Sequence, residues 1–233
     1  MAQAPSSRTR IRRVPKRGLY DRATIAAILD ESLVAHVGFS VDEQPYVIPM
    51  LIARLGDRVY MHGSTASRMV RKLSAGVPAC LTTTLVDGLV LARSAFHHSM
   101  NYRSVVVLGT ATLVEGADER ADALEAFTEK LLPGRWDEVR QPNAQELKGT
   151  RVLTMELTEA SAKVREGGPV DDEGDYAFDV WAGVVPLALT AGAPIPDARL
   201  RAGVEPSAAV TGWAAARGDQ TICSVRSADS SAS

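Results

Sequence analysis

Apolar residues recur at helical spacing at Ile25, Ile28 and Leu29, and Asp21 stands where a helix cap belongs, so a helix is predicted that ends near Ser32. Beyond it the period shortens. Residues 33–39 and 46–53 read as strands around Asp42-Glu43-Gln44, and Gly56-Asp57 turns the chain into a third strand over 58–62, an antiparallel meander. A short helix over 67–75 is followed by a strand over 79–86, the turn signal Asp87-Gly88 and a strand over 89–95, which predicts a second hairpin. Residues 102–115 read as one long strand with a bulge at Gly109. Asp118 then caps a helix lined by Ala121, Leu124, Phe127 and Leu131 and ended by Pro133-Gly134. Finally Leu153, Met155 and Leu157 alternate with Thr154, Glu156 and Thr158, the pattern of a strand with one buried and one wet face.

Six or seven strands joined largely by hairpins, with helices inserted at three places, predict a mainly β fold, a small antiparallel barrel with peripheral helices. A doubly wound sheet would need strands and crossover helices in alternation. The organisation divides into a basic arm over 1–18, a barrel domain over 19–190 that ends in an apolar segment around Trp181-Ala182-Gly183, and a mostly flexible tail over 191–233. The last ten residues have almost nothing to bury and are expected to be disordered.

With 233 residues, 45% of them hydrophobic, and a net charge of −2, the chain supports a sizeable core and lacks the accumulated cations of a general nucleic-acid binder. The exception is the arm, with Arg8, Arg10, Arg12, Arg13, Lys16 and Arg17. No aromatic residue interleaves these charges, so the arm reads as a solvated segment packing along the domain or a neighbouring subunit. No run of some eighteen apolar residues offers a membrane span and no signal-peptide core follows the arm, so a cytoplasmic protein is expected. The two cysteines form no framework: Cys80 reads as a small core residue and Cys223 as part of a mobile end.

Two polar clusters carry the candidate chemistry. In Tyr60-Met61-His62-Gly63-Ser64-Thr65-Ala66-Ser67-Arg68, a strand runs through a turn into a helix. Gly63 permits close backbone approach, Ser64 and Ser67 offer hydroxyls, and Arg68 offers a fork that grips phosphate, while the helix start adds N–H groups. The same residues also read as a plain helix cap beside a surface arginine. The segment lacks the Gly-Lys-Ser/Thr ending of a phosphate-loop NTPase. The second cluster, His97-His98-Ser99-Met100-Asn101-Tyr102-Arg103-Ser104, offers Ser99, Asn101 and Ser104 to a heteroaromatic edge. Adjacent His97 and His98 point to opposite sides of an extended segment and cannot chelate one metal together, so no metal site is expected. Neither a Ser-His-Asp nor a Cys-His arrangement has local support. A ligand that is anionic at one end and flat and polar at the other fits both clusters, and FMN has that form.

At these residues the chain resembles the FMN-binding split-barrel superfamily, specifically the pyridoxamine 5′-phosphate oxidase-related, nitroimidazole-reductase-like flavoproteins. The likeness runs from about Arg10 to Leu189 through Tyr20-Asp21-Arg22, His36-Val37-Gly38-Phe39, Ile48-Pro49, His62-Gly63-Ser64, Ser67-Arg68, the segment 87–94, the segment 98–106, Ser161-Ala162-Lys163-Val164-Arg165 and Trp181-Ala182-Gly183. It implies a six- to seven-stranded split β-barrel that binds FMN between the subunits of a homodimer. Ser67 and Arg68 would then hold the phosphate with His62, Gly63 and Ser64, residues 99–104 would border the isoalloxazine, and Trp181 would cover the flavin or seal the dimer. Met69 stands where the oxidase proper has a basic residue, and its Arg-Gln-Val-Arg strand is here Arg103-Ser104-Val105-Val106, so vitamin B6 oxidation is not expected. Met50 and Ile52 replace a threonine and an aromatic residue usual after the Ile-Pro pair.

The leading expectation is an FMN-dependent oxidoreductase acting on a small molecule, with a nicotinamide electron donor possible and His98 or His62 as candidates for proton transfer. One alternative is a haem-binding or haem-degrading split-barrel protein with His97, His98 or His62 as axial ligand. Another is a non-catalytic flavin store or flavin-sensing protein.

Overall fold

The computed structural model describes residues 3–218, and the expectations for Cys223 and for residues 224–233 lie outside them. The described chain divides into two compact units, one formed by residues 3–86 and 100–167, the other by 87–99 and 168–218.

In the first unit a short strand, β1 (Gly18–Leu19), precedes helix α1 (Arg22–Glu31). Asp21 caps α1 by accepting the Thr24 N–H at 2.8 Å, and Ile25, Ile28 and Leu29 are its buried stripe. Strands β2 (Val34–Val41) and β3 (Gln44–Leu51) form a hairpin with Val41 opposite Gln44. Its two-residue loop, Asp42-Glu43, takes φ values of 49° and 65°, the left-handed geometry that matches strand twist, although neither residue is glycine. Strands β4 (Ala53–Leu55) and β5 (Arg58–Ser64) and helix α2 (Arg68–Ser74) follow, then β6 (Pro78–Leu91), β7 (Ser99–Thr110) and β8 (Thr112–Leu113). Helices α3 (Ala117–Leu131) and α4 (Ala144–Gly149) lead to β9 (Thr150–Glu156) and β10 (Ala160–Arg165).

These strands form two antiparallel sheets, one in the order β1-β10-β7-β6-β2-β3 and one in the order β4-β5-β9-β8. The mainly β antiparallel architecture with peripheral helices is therefore present, as a pair of sheets on a shared core. Val37, Met61, Leu73, Leu81, Val105, Leu153 and Met155 all belong to one buried cluster. A smaller cluster gathers Tyr60, Val114, Ala123, Phe127 and Val152.

Four local readings are corrected. Asp87-Gly88 makes no hairpin: β6 runs straight through it, and in the second unit Gly88 pairs with Pro186 of β11 (Gly183–Pro186). A Cβ on Gly88 would lie 3.1 Å from both the Val184 side chain and the Val185 carbonyl oxygen, so this glycine serves a close strand approach, not a turn. Strand β9 has no wet face along its middle, since residues 152–155 are all buried: Leu153 and Met155 face the main core, and Val152 the smaller cluster under α3. Gly116, not Asp118, occupies the N-cap of α3, and Asp118 lies in its first turn; of the four residues taken to line that helix, Phe127 is buried and Leu131 is 52% exposed. The long strand starts at Ser99 and breaks at Ala111, two residues past Gly109.

The second unit buries little. Among its described residues only Gly88, Val90, Ala92 and Asp171 are buried. Its regular elements are the end of β6, β11, two short 3-10 turns at Ala95–His97 and Glu173–Ala177, and helix α5 (Ala208–Gly218). No described helix is long and apolar enough to cross a membrane.

Candidate functional site

The strand-turn-helix segment is built locally. Strand β5 pairs along its length with β9, setting Gly63 opposite Arg151 and Ser64 opposite Thr150. The turn after it closes through the Ser67 N–H on the Ser64 carbonyl oxygen at 2.9 Å and the Thr65 N–H on the Gly149 carbonyl oxygen at 3.0 Å. Ser64 Oγ accepts the Ala66 N–H at 3.2 Å, and Ser67 Oγ accepts the Val70 N–H at 3.5 Å as the cap of α2. Both readings of these serines are thus compatible, because each oxygen is engaged as an acceptor while its O–H still has a proton to donate. At Gly63 a Cβ would stand 2.8 Å from Val70 Cγ2, so glycine here lets β5 and α2 meet.

Arg68 is exposed, but its side chain is not without a contact. Its guanidinium lies 4.4 Å over the ring of Tyr46 from β3, which restricts the side chain by cation–π stacking. Next to it, Arg71 and Lys72 extend along α2, and a groove of about 520 Å³ is lined by these three cations with Tyr46, Gln44, Val41 and the acidic Asp42. None of the three cations makes an ion pair among the described residues. Sequence reasoning missed Tyr46, Arg71 and Lys72. The i, i+3, i+4 recurrence of Arg68, Arg71 and Lys72 was the available signal.

His62 belongs to this segment in sequence, but its ring packs inward. It lies 4.4 Å from the Phe127 ring, Nδ1 is buried without a hydrogen-bond partner, and burial holds its pKa below the ordinary 6.5. The geometry thus supplies packing for His62.

The second cluster is divided. Asn101 Oδ1 accepts from the Arg165 guanidinium of β10, and Ser104 Oγ donates to the Lys163 carbonyl oxygen at 3.3 Å, so both bind the β7–β10 ladder together. Ser99 is exposed at the start of β7. In the second unit, Ser94 Oγ accepts the Phe96 N–H at 3.2 Å, and the His98 Nδ1 lies 2.9 Å from the Ser94 carbonyl oxygen. His97 Nε2 is 3.4 Å from Asp172, and ligand atoms of half-buried His97, exposed Asp172 and half-buried Asp175 lie within 4.8 Å of one another. No close spacing announced that grouping, because the strands β7 to β10 and the helices α3 and α4 separate His97 from Asp172 in the sequence.

Asp171 anchors the same unit. Its carboxylate is buried and accepts from the Arg93 and Ser94 N–H groups at 3.0 and 3.3 Å and from the Arg93 guanidinium at 3.2 Å. Burial alone would raise its pKa, but these hydrogen bonds outweigh it and hold the carboxyl below the usual range. Arg93 also lies 4.8 Å over the Tyr176 ring. Trp181 is 65% exposed.

Comparison with known proteins places this geometry in context. A family model for pyridoxamine 5′-phosphate oxidase matches residues 21–164. A flavocytochrome from Azotobacter vinelandii is 42% identical, with 91% of this chain and 98% of that one covered at a TM-score of 0.85. An FAD- and haem-binding protein from Mycobacterium smegmatis is 35% identical, with 84% and 96% covered at a TM-score of 0.81. A protein from Bacteroides thetaiotaomicron named for 5-nitroimidazole antibiotic resistance is 20% identical, with 63% and 86% covered at a TM-score of 0.54, and shares the fold. No curated protein matches the chain. The strand order, the segment leading into α2 and the match over residues 21–164 converge: the chain belongs to the pyridoxamine 5′-phosphate oxidase family.

Proposed function

We propose that this protein binds a flavin nucleotide and a haem and acts as an oxidoreductase that moves electrons between them and a small molecule. The observation that carries the reading is where the likeness extends. The family model stops at residue 164, whereas coverage of 91% and 84% by a flavocytochrome and an FAD- and haem-binding protein cannot be confined to residues before it. The haem alternative weighed from sequence thus joins the flavin reading.

The residues present fit a flavin phosphate. Ser64 and Ser67 retain donatable hydroxyl protons, and Tyr46 stacks on Arg68 at the edge of a cationic groove. FMN, expected from sequence, needs one such anion site. The additional cations Arg71 and Lys72 favour FAD, whose second phosphate they would face in the same groove. When bound, the flavin supplies hydride and single-electron chemistry, and the chain supplies binding and orientation. A homodimer is part of the reading, since Trp181 and other apolar residues of the second unit are exposed in the single chain.

Heat release of cofactor from the purified protein, followed by chromatography, tests the reading. It is expected to yield FAD alongside a Soret-absorbing haem, and recovery of FMN alone would refute both refinements. Arg68→Ala is expected to weaken flavin affinity by roughly ten- to a hundredfold, the loss of one charge-assisted contact. Unchanged affinity would remove Arg68 from the site. Stopped-flow reduction by a nicotinamide nucleotide checks the donor, and sedimentation at several concentrations checks the dimer against the 24.9 kDa chain.

A further inference from the structure

We infer that His98 is the protein's axial ligand to haem iron, an assignment that rests on the haem part of the proposed function. A ligating histidine offers the lone pair of one ring nitrogen while the other N–H is commonly donated to a carbonyl or carboxylate that fixes tautomer and orientation. The chain has four histidines, all among the described residues, and they can be compared on this criterion.

His98 meets it. Nδ1 lies 2.9 Å from the Ser94 carbonyl oxygen, and a carbonyl can only accept, so the proton sits on Nδ1 and the lone pair on Nε2. The acceptor is itself held. Ser94 donates its N–H to buried Asp171 at 3.3 Å, and its carbonyl also accepts the His97 N–H at 3.1 Å. Asp171 is fixed in turn by Arg93. A continuous run of hydrogen bonds within one unit therefore orients an exposed imidazole with its Nε2 unengaged among the described residues.

The other three fall short. His97 has its Nε2 3.4 Å from the Asp172 carboxylate, so that nitrogen is already engaged. His62 packs on Phe127 with a buried Nδ1 that has no acceptor to orient it. His36 is exposed on β2 and makes no hydrogen bond through its ring among the described residues.

The same unit also offers exposed apolar surface. The unit that carries His98 also exposes Phe96, Tyr176, Phe178, Val180 and Trp181, side chains that ordinarily seek cover from water. It is also the unit whose larger part lies beyond the family model, in the stretch into which the likeness to the haem-associated relatives extends.

Titration of the full-length protein with hemin, read by its Soret band and by electron paramagnetic resonance, tests the assignment. His98→Ala is expected to weaken hemin affinity roughly tenfold or more and to change the resonance spectrum, with added imidazole restoring the wild-type signature. His97→Ala is expected to leave the signature in place. Should His98→Ala lose its flavin as well and so be misfolded, His98→Met decides: a shifted Soret band supports the ligand, and an unshifted one overturns it. Identical affinity and spectra in wild type and His98→Ala overturn the assignment outright. A wild-type protein that takes up flavin but no hemin instead overturns the haem reading, and this inference with it.

Discussion

The two units of this chain solve the problem of apolar surface in opposite ways. The first unit builds a large apolar core: Val37, Met61, Leu81 and Leu153 are fully buried within one cluster. The second leaves Phe96 89% and Ile195 91% exposed, and holds its shape instead through a buried carboxylate and strand pairing along Gly88 to Leu91. The difference teaches that the first unit is stabilised by its own core, in the ordinary manner of a folded domain, whereas the second leaves apolar surface open and rests on polar anchoring. A flat cofactor and a second copy of the chain are the proposed covers.

Three measurements bear on that contrast. The largest effect belongs to the core of the first unit, where Leu153→Ala is expected to cost about 2–5 kcal/mol in chemical denaturation. A cost below about 1 kcal/mol would mean that this core is looser than its burial indicates. In the second unit a polar change should matter most. Asp171→Asn removes the charge that organises the Arg93 and Ser94 N–H groups and the Arg93 guanidinium, and is expected to raise protease cleavage within residues 87–99 and 168–218 while sparing the first unit. Equal cleavage of both units would collapse the distinction. If haem binds through His98, the same variant should also loosen its ligation, because Ser94 would lose an anchor.

The smallest effect is a pH dependence within the first unit. His62 has a pKa below 6.5 because its ring is buried, so the folded state binds fewer protons than the unfolded state as the solution is acidified. Stability from this group is therefore fully present above about pH 6.5 and is lost as pH falls toward the folded pKa. Unfolding free energies measured between about pH 5 and 8 should show that slope in the wild type and a flatter curve in His62→Phe. Parallel curves would assign the slope to other groups.

How much of this was legible in advance varied with the range of the interaction. Helix α1 was read closely because its cap and its buried stripe lie within ten residues, and the turn into α2 because Gly63, Ser64 and Ser67 act on near neighbours. Asp87-Gly88 misled because the local signal for a turn is also the signal for a close approach, and β11, nearly a hundred residues later, decides between them. Asn101 and Ser104 were offered to a ligand because polar groups on a strand look available until their partners on β10 are known.

By itself, then, the sequence determined the mainly β antiparallel class, the family, and the strand-turn-helix segment from His62 to Arg68, since each rests on periodicity or on contacts between near neighbours. Tertiary structure alone decided that Tyr46 holds Arg68, that His62 packs against Phe127, and that His97 faces carboxylates while His98 keeps Nε2 unengaged. The physical reason is that the availability of a side chain depends on what the fold brings to it from distant parts of the chain.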